Sequence, residues 1–177
     1  MKYTILLLSA LLLTIFSCDE LDKLTQFNMK YSESITVPSS TVIDFPINLS
    51  TPSIESNTES TFAGNNTNKN LIETIRLDEM TLTIQSPTSG DFGFLESVQL
   101  FINADGLDEI EIAYLEEVPE DASNTISLEI TGVNLKDYLL KDSFQLRMKS
   151  STDETIESDH EIQINSTFFV DAKILGQ

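Results

Sequence analysis

The chain holds one histidine, His160, in the run Glu157-Ser158-Asp159-His160-Glu161. Serine, histidine and an acid can together carry out nucleophilic hydrolysis: the imidazole takes the serine proton and the carboxylate orients the ring. Here the three are consecutive. Neighbours along an extended chain point in divergent directions, and no glycine flanks Ser158 to build a strained nucleophile turn. The residues therefore read as a turn before the last strand, with His160 solvated. Zinc chemistry needs three or four ligands rich in His and Cys, and the chain has one of each.

Oxygen ligands offer a second chemistry. Asn103, Asp105, Asp108 and Glu109 cluster within seven residues, and Asp105-Gly106 resembles a fragment of a calcium loop. In an EF-hand frame, however, position 1 would be Phe101 and position 12 Ile112, neither of them a ligand. The four residues are a calcium candidate and otherwise a polar hairpin turn. Glu116-Glu117 and Glu120-Asp121 around Pro119 form a second acidic loop. Calcium is the one cofactor these residues suggest.

A glycan surface would need exposed aromatic rings, and the chain has no Trp. Tyr31 and Tyr114 fall on apolar parity, and Tyr138 falls in a helical turn. Phe101 falls on the polar side of its strand. Asp91-Phe92-Gly93-Phe94-Leu95 is an apolar run beside a flexible turn. Phe92, Phe94 and Leu95 are expected to plug the open end of the fold, or else to form a patch that docks a partner.

The only cysteine, Cys18, ends a leader. Lys2 and the terminal amine make a positive end, Ile5 to Phe16 is apolar apart from Ser9 and Thr14, and small Ser17 precedes the thiol. This is the order of a signal peptide, and the apolar run is too short to span a bilayer, which takes about 20 residues. Ile15-Phe16-Ser17-Cys18 resembles a bacterial lipobox. The resemblance covers residues 1–18 and implies that Cys18 receives a diacylglyceryl thioether, that cleavage frees its amine, and that the amine is then open to acylation. Each buried methylene would contribute about 0.8 kcal/mol, and two chains anchor stably where one does not. A lone exported thiol with no disulfide partner fits this fate. Asp19-Glu20-Leu21-Asp22 is similar to the surface-export signal of Bacteroidota lipoproteins. That resemblance implies a lipid anchor in the outer membrane with the domain on the outer face; a periplasm-facing or inner-membrane-retained protein is the alternative.

Removing residues 1–17 from the 177 leaves 160, one domain of ordinary size. Ten basic residues less Lys2 leave nine, against 29 acidic ones, for a formal charge of −20. Nucleic acid is disfavoured as a partner, since phosphate neutralisation needs clustered Lys and Arg. The acid is spread along the chain, as on a solvated, self-repelling surface.

The elements that would position these residues are strands. Residues 18–25 read as the lipidated N-terminus and tether, and 26–177 as one domain. Phe27, Met29, Tyr31, Ile35 and Val37 share one parity, as do Ile43, Phe45, Ile47 and Leu49, where Pro46 suggests an edge. Six further sets follow: Met80–Ile84, Val98–Ile102, Ile110–Tyr114, Ile126–Ile130, Phe144–Met148 and Ile162–Val170, the last with Ser166 on the buried parity. Period-two patterning of this kind marks strands buried on one face. About eight of them predict an all-β, two-sheet antiparallel sandwich, immunoglobulin-like, with one or two helical turns at Asn70–Ile75 and Asn134–Leu140. Residues 103–106 read as a hairpin turn, and 50–70 as the longest exposed loop. No internal repeat is visible.

The function these residues suggest is a non-catalytic binding or structural module held on the envelope by its anchor. The alternatives are a calcium-dependent hydrolase and an accessory subunit of an outer-membrane complex, recognised by an envelope protein partner.

Overall fold

The computed structural model describes residues 25–173. Cys18, the leader and nearly all of the tether lie outside the described residues. Ten strands form: β1 (Gln26–Val37), β2 (Ile47–Ser50), β3 (Ile54–Glu55), β4 (Ile72–Ser86), β5 (Leu95–Ala104), β6 (Ile110–Leu115), β7 (Thr125–Ser127), β8 (Glu129–Ile130), β9 (Ser143–Thr152) and β10 (His160–Ala172). One sheet has the order β1-β10-β4-β7. The other has the order β2-β9-β5-β6-β8, with β3 beside β9. Every pairing is antiparallel. The two-sheet antiparallel sandwich expected from the alternation is what the chain forms. Within it, the first and last strands are neighbours, and the orders β1-β10-β4-β7 and β2-β9-β5-β6 are those of a two-Greek-key jelly roll, not the immunoglobulin-like order expected.

The apolar parities meet between the layers. Leu82, Ile84, Leu100, Ile102, Leu146, Met148, Ile162 and Val170 are all buried there. Tyr31, Phe144 and Phe168 pack edge to face at centroid separations of 5.1–6.1 Å, a geometry that adds roughly 0.5–1.5 kcal/mol per pair beyond area burial. Pro46 lies just before β2, an edge strand, as its missing donor requires. Ile43, expected on the apolar face of that strand, is instead 57% exposed in the loop ahead of it.

Three local expectations are corrected. The helix expected over Asn70–Ile75 shrinks to a single 3-10 turn at Lys69–Leu71, and Ile72 already belongs to β4. The three-residue spacing of Ile72 and Ile75 comes from a bulge: Thr74 pairs with Asp171 and Ile72 with Ala172, leaving Glu73 unpaired. One extra residue flips the parity of a strand. The exposed loop over 50–70 contains β3 and α1 (Thr58–Gly64), tied down by Ile54 and Phe62, both buried. Finally, Ile126–Ile130 is not one strand. β7 pairs with β4 and β8 pairs with β6, so the chain crosses between sheets at Leu128.

The second helical turn forms as expected, as α2 (Lys136–Leu139). The Asn134 carboxamide oxygen accepts the Lys136 N–H at 3.1 Å and the Ile75 N–H at 3.3 Å, joining the turn to β4.

Candidate functional site

The β1–β10 ladder opens with Gln26 opposite Asp171 and closes with Val37 opposite His160. Loops 38–46, 87–94, 116–124 and 153–159 all gather at the Val37 end. Backbone bonds hold them against one another. Ser40 and Ile156 exchange two, at 2.9 and 2.7 Å, and the Phe92 N–H donates to the Ser123 carbonyl at 3.2 Å. The Ser39 N–H donates to Asp159 Oδ1 at 2.8 Å. Loops on a rigid sandwich are where binding residues usually lie.

Phe92, Phe94 and Leu95 close this pole from within. Phe92 and Leu95 are fully buried and Phe94 is 7% exposed, so the three plug the sandwich and are not a docking patch for a partner. Gly93 lets the plug form, because its backbone lies against the Glu120 carbonyl.

His160 is also corrected. It is 8% exposed, not solvated, and its ring lies 4.7 Å from that of Phe94, centroid to centroid. The first position of β10 falls on the inward parity, shared with Ile162 and Ile164. Nδ1 lies 2.8 Å from the Ser158 carbonyl oxygen. A carbonyl can only accept, so Nδ1 carries the proton and Nε2 keeps its lone pair in the neutral ring. The ring lines a cleft of about 240 Å³ between loops 87–94 and 153–159. Asp91, Glu154 and Glu157 stand around it. The Ser158 contact to His160 runs through the backbone carbonyl, and Asp159 is turned to the Ser39 N–H, so the two do not assemble with His160 as a catalytic triad would require.

The calcium candidate lies on the outer face of the other sheet. The hairpin expected at 103–106 forms, but Asn103 and Ala104 still belong to β5 and the turn runs over 105–109, with Gly106 at φ +71°. Glu109 is engaged by Arg147, which donates from Nε at 2.8 Å and from a terminal nitrogen, while its other terminal nitrogen reaches Asn48 at 2.8 Å. The guanidinium sits 4.4 Å above the Phe101 ring, which faces outward as its parity required. The Arg147 hydrogen bond holds the Glu109 carboxyl below the usual carboxylate range; burial opposes this more weakly, and Asn103 adds a smaller lowering bond. The carboxylate expected to help bind calcium is thus spent on Arg147, and Asp105 and Asp108 stay exposed. Among the described residues, no group of three or more His, Cys, Asp or Glu side chains is placed to hold a metal ion.

Tyr114 was expected to point inward and does not. Leu100 pairs with Ala113 and Phe101 with Glu111, so Ile112 is an extra residue in β6. The bulge turns Tyr114 to the outer face beside Gln99. A shallow cleft of about 410 Å³ opens there, with Glu111 and Glu116 on its wall. A hydrogen bond to Glu129 raises the Tyr114 phenol above its ordinary range.

No helix among the described residues is long and apolar enough to cross a membrane. No protein-family model matches the chain. No curated protein matches its sequence. Several solved structures are distantly similar. A chain of Desmodium yellow mottle tymovirus is 15% identical, with 86% of this chain and 91% of that one covered and a TM-score of 0.32. FlhE is 9% identical, with 82% and 98% covered and a TM-score of 0.32. A decameric BFDV capsid protein is 8% identical, with 82% and 99% covered and a TM-score of 0.33. Likenesses at this distance carry no argument about what the chain does.

Proposed function

We propose that the chain is a lipid-anchored protein of a bacterial envelope, whose sandwich is a non-catalytic binding or structural module presenting its four-loop pole away from the membrane. The observation that carries this reading is the course of β1. Cys18, at the end of the lipobox-like run Ile15-Phe16-Ser17-Cys18, lies eight residues ahead of Gln26, and β1 then leads to Val37 beside the loops. Twelve extended residues span roughly 36–40 Å at about 3.3 Å each. A short tether at one end of such a strand favours display of the other end. The surplus of acid keeps the domain in water beside the bilayer, where anionic headgroups repel it. Outer-membrane residence, with the pole reaching an envelope protein partner, is part of the proposal. The engagement of Glu109 by Arg147 takes up one of the four side chains that the calcium-dependent alternative would use.

Metabolic labelling with a clickable fatty acid tests the anchor. Label is expected on the wild-type protein and not on Cys18→Ser. Equal label on both, or none on either, would overturn it.

A further inference from the structure

We propose that the cleft beside His160 binds a primary ammonium group, the side chain of a lysine presented by a partner polypeptide. His160 is 8% exposed and lines the cleft, and its Nε2 has no hydrogen-bond partner among the described residues. With the proton on Nδ1 held by Ser158, Nε2 offers only a lone pair. The Asp91, Glu154 and Glu157 carboxylates around it offer only acceptors as well. A cleft walled by acceptors is completed by a ligand that brings donors and positive charge. Lysine brings three donors on one compact charge, with an apolar stem behind it. Phe94, though it belongs to the plug, and Ile156 each line the cleft with the small apolar area they leave exposed, and such a stem would rest against it. A metal ion fits less well, because among the described residues no three His, Cys, Asp or Glu side chains are grouped to hold one. The excess of acid over the whole chain would draw a basic segment toward the pole.

The chemistry of this cleft does not depend on the anchor; only its membrane-distal position rests on the function proposed above. Because the chain has a single histidine, the imidazole nitrogens give one unambiguous NMR signal set. The experiment uses untagged full-length protein, ¹⁵N-labelled, in detergent at about pH 8, above the ordinary titration range of an imidazole. Nα-acetyl-lysine amide is the probe, and Nα-acetyl-norleucine amide is its uncharged counterpart. The lysine probe should shift Nε2 saturably, and the norleucine probe should not. The Glu154→Gln/Glu157→Gln protein, altered only at exposed loop positions, should bind the lysine probe roughly fivefold to tenfold more weakly. No saturable shift, an equal shift with norleucine, or unchanged binding by the double variant would overturn the proposal. The spectrum reads the imidazole whether or not Cys18 is acylated, so failure of the anchor and failure of the cleft are told apart.

Discussion

Gly93 lies so close to Glu120 that a β-carbon on it would stand 2.6 Å from the Glu120 carbonyl oxygen. The obstacle is backbone and cannot swing aside. Gly93→Ala should therefore prise loop 116–124 from loop 87–94 and loosen the plug of Phe92 and Phe94. Overpacking of this kind costs about 1–3 kcal/mol. Chemical denaturation should show the midpoint falling with the slope unchanged; an unaltered midpoint would mean the loops are not locked together.

Ser166 is 2% exposed, and its hydroxyl oxygen has no hydrogen-bond partner among the described residues. It stands on the inward parity of β10, between Tyr31 on one neighbouring strand and Met80 on the other. A buried hydroxyl without a partner costs free energy that a methyl group would not. Ser166→Ala should leave stability unchanged or raise it by about 1 kcal/mol, seen as a higher thermal midpoint. A loss of 2 kcal/mol or more would mean the hydroxyl has a role the contacts do not reveal.

Tyr31 donates its phenolic proton to the Ser56 carbonyl at 2.5 Å, and burial pushes its pKa well above that of a free tyrosine. A group whose folded pKa is raised contributes stability below its unfolded pKa, about 10. That contribution is lost as pH climbs past 10 toward the folded value. Tyr31→Phe should cost about 1–2 kcal/mol near neutrality by leaving the Ser56 carbonyl unpaired. The gap between the two proteins should close above pH 10, read from urea midpoints across that range.

The Glu109–Arg147 pair acts at the acid end. The folded pKa of Glu109 is lowered, so its contribution is present above the unfolded value near 4.3 and is lost as pH falls below it. Both side chains are partly exposed, at 32% and 22%, so screening limits the effect. Glu109→Gln should cost about 0.5–1 kcal/mol at pH 7, as for exposed but well-formed ion pairs. The difference from wild type should shrink between pH 4 and pH 2. A constant difference would assign the effect to packing over Phe101 instead of charge.

The layers of this fold were legible because Phe144–Met148 alternates strictly, and Val98–Ile102 and Ile162–Val170 alternate apart from Phe101 in the first and Ser166 and Phe169 in the second. What alternation does not carry is which strand lies beside which, and so the jelly-roll order had to come from the structure. Bulges hid the rest. The extra residue at Ile112 turned Tyr114 outward, and the one at Glu73 imitated helical spacing. A run such as Ile126–Ile130 looks like a single strand even where the chain changes sheets, because each residue still alternates. His160 was misplaced for a simpler reason. Its acidic neighbours suggested solvent, but as the first residue of β10 it is inward by parity, and Ile162 and Ile164 could have shown it. Glu109 and Arg147 are 38 positions apart, and no local pattern joins them.

The central claim is that a lipid on Cys18 tethers the sandwich to the envelope. Intact mass spectrometry of the protein purified from membranes, with sequencing of its N-terminal peptide, tests this most directly. The predicted result is a chain that begins at Cys18 and carries a diacylglyceryl thioether. A chain that begins at any other residue, or that carries Cys18 as a free thiol, would contradict it.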